Sequence, residues 1–116
     1  MFTALNDKNT FGYPFEKIRN AIAVPSEKNV DAATSSGLEV LSRSYDAFRQ
    51  ELDAAGELGN WEYDLDTYIH CIAVLQRYFT GNPSGLTERD ARIYSHYLQT
   101  EHKRFVKLAE ELAAGR

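Results

Sequence analysis

Apolar residues recur along this chain at spacings of three and four, the period of an amphipathic helix. No segment alternates with period two for long enough to make a strand. Phe15, Ile18 and Ile22 form the first stripe. Pro14 suits the first position of that helix, where its missing N–H would be unpaired anyway, and Pro25 closes it. Ser26 is placed to cap the second helix. From Val30 the stripe runs through Thr34, Leu38, Leu41, Tyr45, Phe48, Leu52 and Ala55, predicting a long second helix ended by Gly56 and Gly59. Its weak place is Thr34–Ser35–Ser36–Gly37. These residues have poor helix propensity, and glycine costs about 1 kcal/mol against alanine, so a kink or break is expected there.

A third stripe, Trp61, Leu65, Tyr68 or Ile69, Ile72, Leu75 and Phe79, comes after Asn60 as its candidate cap and ends at Gly81. Glu62, Asp64 and Asp66 lie near its start and Arg77 near its end, the order that the helix dipole favours. Asn82–Pro83–Ser84–Gly85 is turn chemistry in every residue. Thr87 caps a fourth helix, and Asp90 completes a shorter-armed capping box, with Leu86 and Ala91 at the staple positions. The fourth stripe is Ala91, Tyr94, Leu98, a polar step, then Phe105, Leu108 and Leu112.

Four helices with short connections, or five if the second breaks at Gly37, predict an all-α antiparallel bundle forming a single domain over residues 14–116. Its expected core is Ile18, Ile22, Leu41, Tyr45, Phe48, Leu52, Leu65, Ile69, Ile72, Phe79, Leu98, Phe105 and Leu108. Residues 1–13 lack periodicity and read as a loose N-terminal arm that Phe2, Phe11 and Tyr13 could pin to the body.

Composition narrows the function. A content of 43% hydrophobic and 26% charged residues is that of a globular domain, not a disordered chain. A net charge of -4 gives no long-range attraction to nucleic acid or anionic lipid. Cys71 is the single cysteine, so neither an intrachain disulfide nor a cysteine-cluster zinc site is available, which fits a reducing compartment. The first residues have no basic segment leading into an apolar run, and no stretch approaches the ~20 apolar residues of a membrane span. A cytoplasmic protein is expected.

Glu62, Asp66 and His70 stand four apart on one side of the third helix. Antiparallel pairing about the turn sets Asp66 level with Glu101 and His102, and His70 level with His96. Carboxylates and imidazoles across two helices can hold a metal, so Glu62, Asp66, His70 and His102 are candidate ligands. Dipole-favoured acids and solvated histidines account for the same residues, and no HExxH, ExxH or EF-hand pattern is present. On balance no metal and no cofactor is expected.

The polar step has two readings. Either Glu101 or His102 enters the core, where it would need a partner and its pKa would shift, or Tyr97 and Phe105 cover the gap. Arg89, Arg92, His96, Lys103 and Lys107, with Gln99 between, make a basic stripe that could meet phosphates or an acidic partner. Glu88, Asp90, Glu110 and Glu111 dilute it, and a solvated face explains it as well. Cys71 adjoins His70, but neighbouring helical residues do not face each other, and no GxSxG, SxxK or Walker loop exists.

The aromatics carry the functional expectation. Trp61, Tyr63, Tyr68, Tyr78, Phe79, Tyr94 and Tyr97 crowd the third and fourth helices, more than one seam can bury. The chain therefore reads as a non-catalytic protein–protein interaction module, an adaptor, regulator or inhibitor. Trp61, Tyr68, Tyr78, Tyr94 and Tyr97 would be the contact residues, with Arg77 and Arg92 as a charged rim. The partner is another protein or a second copy of the chain. A metal-binding or enzymatic bundle using the carboxylate–histidine face is the first rival, and a nucleic-acid binder using the basic stripe the second.

Overall fold

The stripes fold as five α-helices: α1 (Lys8–Ala23), α2 (Glu27–Ala32), α3 (Glu39–Ala54), α4 (Leu58–Phe79) and α5 (Glu88–Gly115). The structure is a computed structural model that describes residues 8–81 and 85–115, without the side chains of residues 8–13, 35 and 36. The expected pinning by Phe2, Phe11 and Tyr13 and the turn residues Asn82, Pro83 and Ser84 lie outside what is described. No strand occurs among the described residues.

Three helix ends obey their local chemistry. Ser26 caps α2, its hydroxyl accepting from the Asn29 amide at 3.2 Å. Gly56, at φ 74°, lets Glu57 N–H reach Leu52 O and Gly56 N–H reach Asp53 O, which closes α3 as a Schellman motif. Thr87 and Asp90 form the expected reciprocal box: Asp90 N–H donates to Thr87 Oγ1 at 3.2 Å, and Thr87 N–H donates to Asp90 Oδ2 at 3.0 Å.

Other boundaries differ from expectation. α1 begins at Lys8, so Pro14 lies inside the helix and residues 8–13, expected in the arm, are helical. α4 begins at Leu58, so Gly59 does not terminate a helix and Asn60 is not its cap; Asn60 Nδ2 instead donates to Glu57 Oε2 at 3.2 Å. At Thr34–Gly37 the chain widens rather than breaks. Ala33–Leu38 is a π-helical segment joining α2 to α3, the usual accommodation of one extra residue in a continuing helix. Thr34 Oγ1 donates back to Val30 O at 2.9 Å, competing with the α-helical ladder where the turn widens. A methyl group at Gly37 would sit 3.4 Å from Pro14 O and 3.7 Å from Ile18 Cγ1, so this segment rests directly on α1.

Cross-helix contacts fix the bundle's directions. Phe15 meets His102, and Arg19 meets Gln99, so α1 runs antiparallel to α5. Asp64 meets Arg104, and Tyr68 meets His102, so α4 does too. Around the bundle the order is α1, α2–α3, α4, α5, with α5 returning to α1. One apolar cluster unites them. Ile18, Ile22, Leu41, Phe48, Leu52, Leu65, Ile72, Phe79, Leu98, Phe105 and Leu108 are buried as expected, each contributing about 1.5–3 kcal/mol. Tyr45 and Ile69 pack against the cluster half-buried, while Tyr68, Cys71, Leu75 and His102 join the interior.

Candidate functional site

The polar step of α5 resolves in favour of His102, which is 4% exposed. Tyr97 does not cover the gap; it is 55% exposed. Burying an imidazole needs a hydrogen bond, and Tyr68 supplies one across the bundle, its hydroxyl 3.0 Å from His102 Nδ1. Every wall of the bundle adds a ring to this layer. Phe15 of α1 lies 5.2 Å from the His102 ring, Tyr45 of α3 stacks on Tyr68 at 5.9 Å, and Phe105 meets Tyr68 edge-on at 5.6 Å. Burial lowers the His102 pKa to about 4 and raises that of the Tyr68 phenol. At neutral pH the layer is therefore uncharged.

Beside it, Arg104 bridges Glu101 at 2.9 Å and Asp64 at 3.0 Å. Burial raises the Glu101 pKa, and Arg104 opposes that rise. Cys71 is buried, and burial, reinforced by the Glu101 charge, pushes its thiol up to about 11. It stays protonated and unreactive at neutral pH.

Tyr68 is thus not a contact residue, since it is 2% exposed in the core. Trp61, Tyr78 and Tyr94 are half-buried and packed against the apolar cluster. Tyr78 packs edge-on against Phe79. Arg92 stands five residues before Tyr97, about 140° around the helix, so it cannot rim a face that contains Tyr97. It lies instead in a groove between α1 and α5, with Arg19, Ile22, Ala23, Ser95, His96 and Gln99, of volume about 310 Å³.

The remaining exposed apolar side chains fall largely on one side of the bundle. The large apolar side chains in solvent among the described residues are Val24, Tyr63, Ile93 and Tyr97. Ile93 and Tyr97 stand one turn apart on α5. Tyr94 beside them packs edge-on against His70 of α4 at 5.9 Å, so this side of α5 adjoins the His70 side of α4. Tyr63 lies two turns before His70 and Arg77 two turns after it, all on that side. At the Tyr63 end, the Arg104–Asp64 bridge ties the two helices together. Tyr63 (82% exposed), Ile93 (42%) and Tyr97 therefore share the outer face of the α4–α5 pair. Tyr63 and Ile93 are additions to the contact residues expected from the sequence. Their signal is phase: Tyr63 sits about 140° around the helix from Tyr68, which the core claims.

The candidate metal ligands do not converge. Glu62, Asp66 and His70 form an exposed row on α4, whereas His102 faces Tyr68 inside the bundle. His70 meets Tyr94 rather than His96. Among the described residues no group of three or more His, Cys, Asp or Glu is placed to hold a metal ion. No described helix is long and apolar enough to cross a membrane. Comparison with known proteins returned no match, whether to a protein family, a curated protein or a solved structure.

Proposed function

We propose that this chain is a non-catalytic protein–protein interaction module, an adaptor, regulator or inhibitor, whose contact surface is the outer face of α4 and α5. The observation that carries this reading is that Tyr63, Ile93 and Tyr97 lie along one outer face of the α4–α5 pair, with the packed rings of Tyr94 and His70 between them. Exposed aromatics that the core does not need are costly to leave in water and are the residues on which interfaces concentrate their binding energy. Arg77 and the Arg104–Asp64 pair border the face with charge, as a polar rim does.

The reactive alternatives have less support. The candidate ligands are separated, and the cysteine is a buried thiol. A second copy of this chain is the nearest variant of the proposal, because a self-complementary apolar face makes a symmetric dimer. The test is a combined Tyr63→Ala, Ile93→Ala, Tyr97→Ala variant, compared with the parent chain by affinity capture from the native host and by sedimentation velocity of the purified protein. The variant keeps its helical signal and loses a captured partner or the dimer. Unchanged capture and unchanged association would reject the reading.

A further inference from the structure

The groove between α1 and α5 lies on the α1 side of α5, whereas the aromatic face lies on its α4 side, and the two differ in chemistry. Arg19 enters from α1, and Arg92 and His96 from α5. Gln99 and the buried Ser95 add polar groups, and Ile22 forms an apolar wall. No carboxylate lines it among the described residues. Its volume of about 310 Å³ is at the small end of the ~300–1,000 Å³ range of ligand pockets.

The two arginines are held only loosely. Arg19 Nη1 donates to Gln99 Oε1 at 3.4 Å, an exposed contact at the long limit of a hydrogen bond. Arg92 pairs with Glu88 at 3.5 Å, with both side chains more than half exposed. Such contacts contribute little, so both guanidinium groups are available to a better acceptor. A guanidinium presents paired N–H donors that match carboxylate and phosphate oxygens. Two of them, from different helices, line one concave site with an apolar wall, which suits a ligand with an anionic head and an apolar body.

We propose that this groove binds a small organic anion, a carboxylate or phosphate monoester on an apolar body. Arg19 and Arg92 take the charged head, Gln99 and His96 orient it, and Ile22 packs against the body. The inference is independent of the aromatic face: it rests on other residues and on the α1 side of α5.

Backbone amide NMR of the whole chain in low salt provides the test, with phenyl phosphate, benzoate, inorganic phosphate, benzyl alcohol and a glutamate-rich peptide as probes. Phenyl phosphate or benzoate should give saturable shifts centred on Ile22, Ser95 and Gln99. Inorganic phosphate should bind more weakly and benzyl alcohol not measurably. A combined Arg19→Gln, Arg92→Gln variant should weaken binding about tenfold or more, since each charge-assisted bond it removes is strong. Both side chains are exposed, so an unchanged thermal transition will show that the variant is folded. Shifts that never saturate, that map elsewhere, or that persist in the double variant would overturn the proposal. So would tight binding of an acidic peptide together with indifference to both small anions, because the groove would then serve a protein ligand.

Discussion

Tyr68 and Tyr63 belong to the same helix and are five residues apart, yet one is at the centre of the bundle and the other stands in water. Around Tyr68 the interior completes itself. Tyr45 and Phe105 pack on its ring, its hydroxyl meets His102 Nδ1, and Phe15 packs in turn on the His102 ring. Tyr63 and Tyr97 stand largely in solvent, 82% and 55% exposed, with the His96 ring 6.5 Å from that of Tyr97. The difference lies in helical phase and in the presence of a partner atom across the bundle, not in residue type. The inner layer therefore carries stability and the outer face does not, and if that face serves recognition as proposed, the two should respond to mutation in opposite ways.

Removal of a ring from the inner layer should have the largest effect. Phe105→Ala, between Phe48 and Tyr68, is expected to cost about 3–5 kcal/mol, read as a lower urea midpoint. An effect below ~1 kcal/mol would mean that the layer is not the stabilising centre.

Acid should come next. His102 is held neutral, its pKa lowered from 6.5 to about 4 by burial. Between those values the unfolded chain binds a proton that the folded chain excludes. Stability should therefore fall as pH drops from about 6.5 to about 4, by roughly 3 kcal/mol in full. Glu101 acts in the other direction, since burial raises its pKa and protonation relieves it. Urea unfolding of the parent chain and a His102→Gln variant across this range isolates the histidine. The variant should lose most of the slope, and an equal slope in both would place the pH dependence elsewhere.

Tyr68→Phe is the gentler probe of the same place. It keeps the ring and removes the hydroxyl that meets His102 Nδ1, at an expected cost of about 1–3 kcal/mol. It should also change the pH slope, because the imidazole loses that hydrogen bond. On the outer face, Tyr63→Ala or Tyr97→Ala alone should move stability by about 0.5 kcal/mol or less, as exposed sites do.

Much of this contrast is legible in the residues. The period-3.6 stripes place most of the interior, and the turn near residue 83 sets the register of α4 against α5. That register puts Asp66 level with Glu101 and His102; the contacts observed are Tyr68–His102 and Asp64–Arg104, within a turn of it. Local chemistry identifies Ser26 and Thr87 as caps. The features that escape the sequence depend on partners distant along the chain. Whether His102 or Tyr97 fills the polar step turns on Tyr68 being available opposite. A stripe that admits either Tyr68 or Ile69 leaves Tyr68 free to be counted as surface. The spacing of five between Arg92 and Tyr97 already separates Arg92 from the aromatic face, but only the packing of α1 against α5 reveals the groove that it lines together with Arg19. At Thr34–Gly37, propensity locates the weak point but does not distinguish a break from a π turn.

The outer face of α4 and α5 is proposed to be a contact surface and not an exposed edge of the core. The most direct measurement compares the parent chain with the Tyr63→Ala, Ile93→Ala, Tyr97→Ala variant in affinity capture and sedimentation velocity, with thermal unfolding of both run alongside. A transition close to that of the parent is expected, together with the loss of a partner or of self-association. A variant that unfolds would make these side chains part of the core, and a folded variant that binds as the parent does would contradict the account outright.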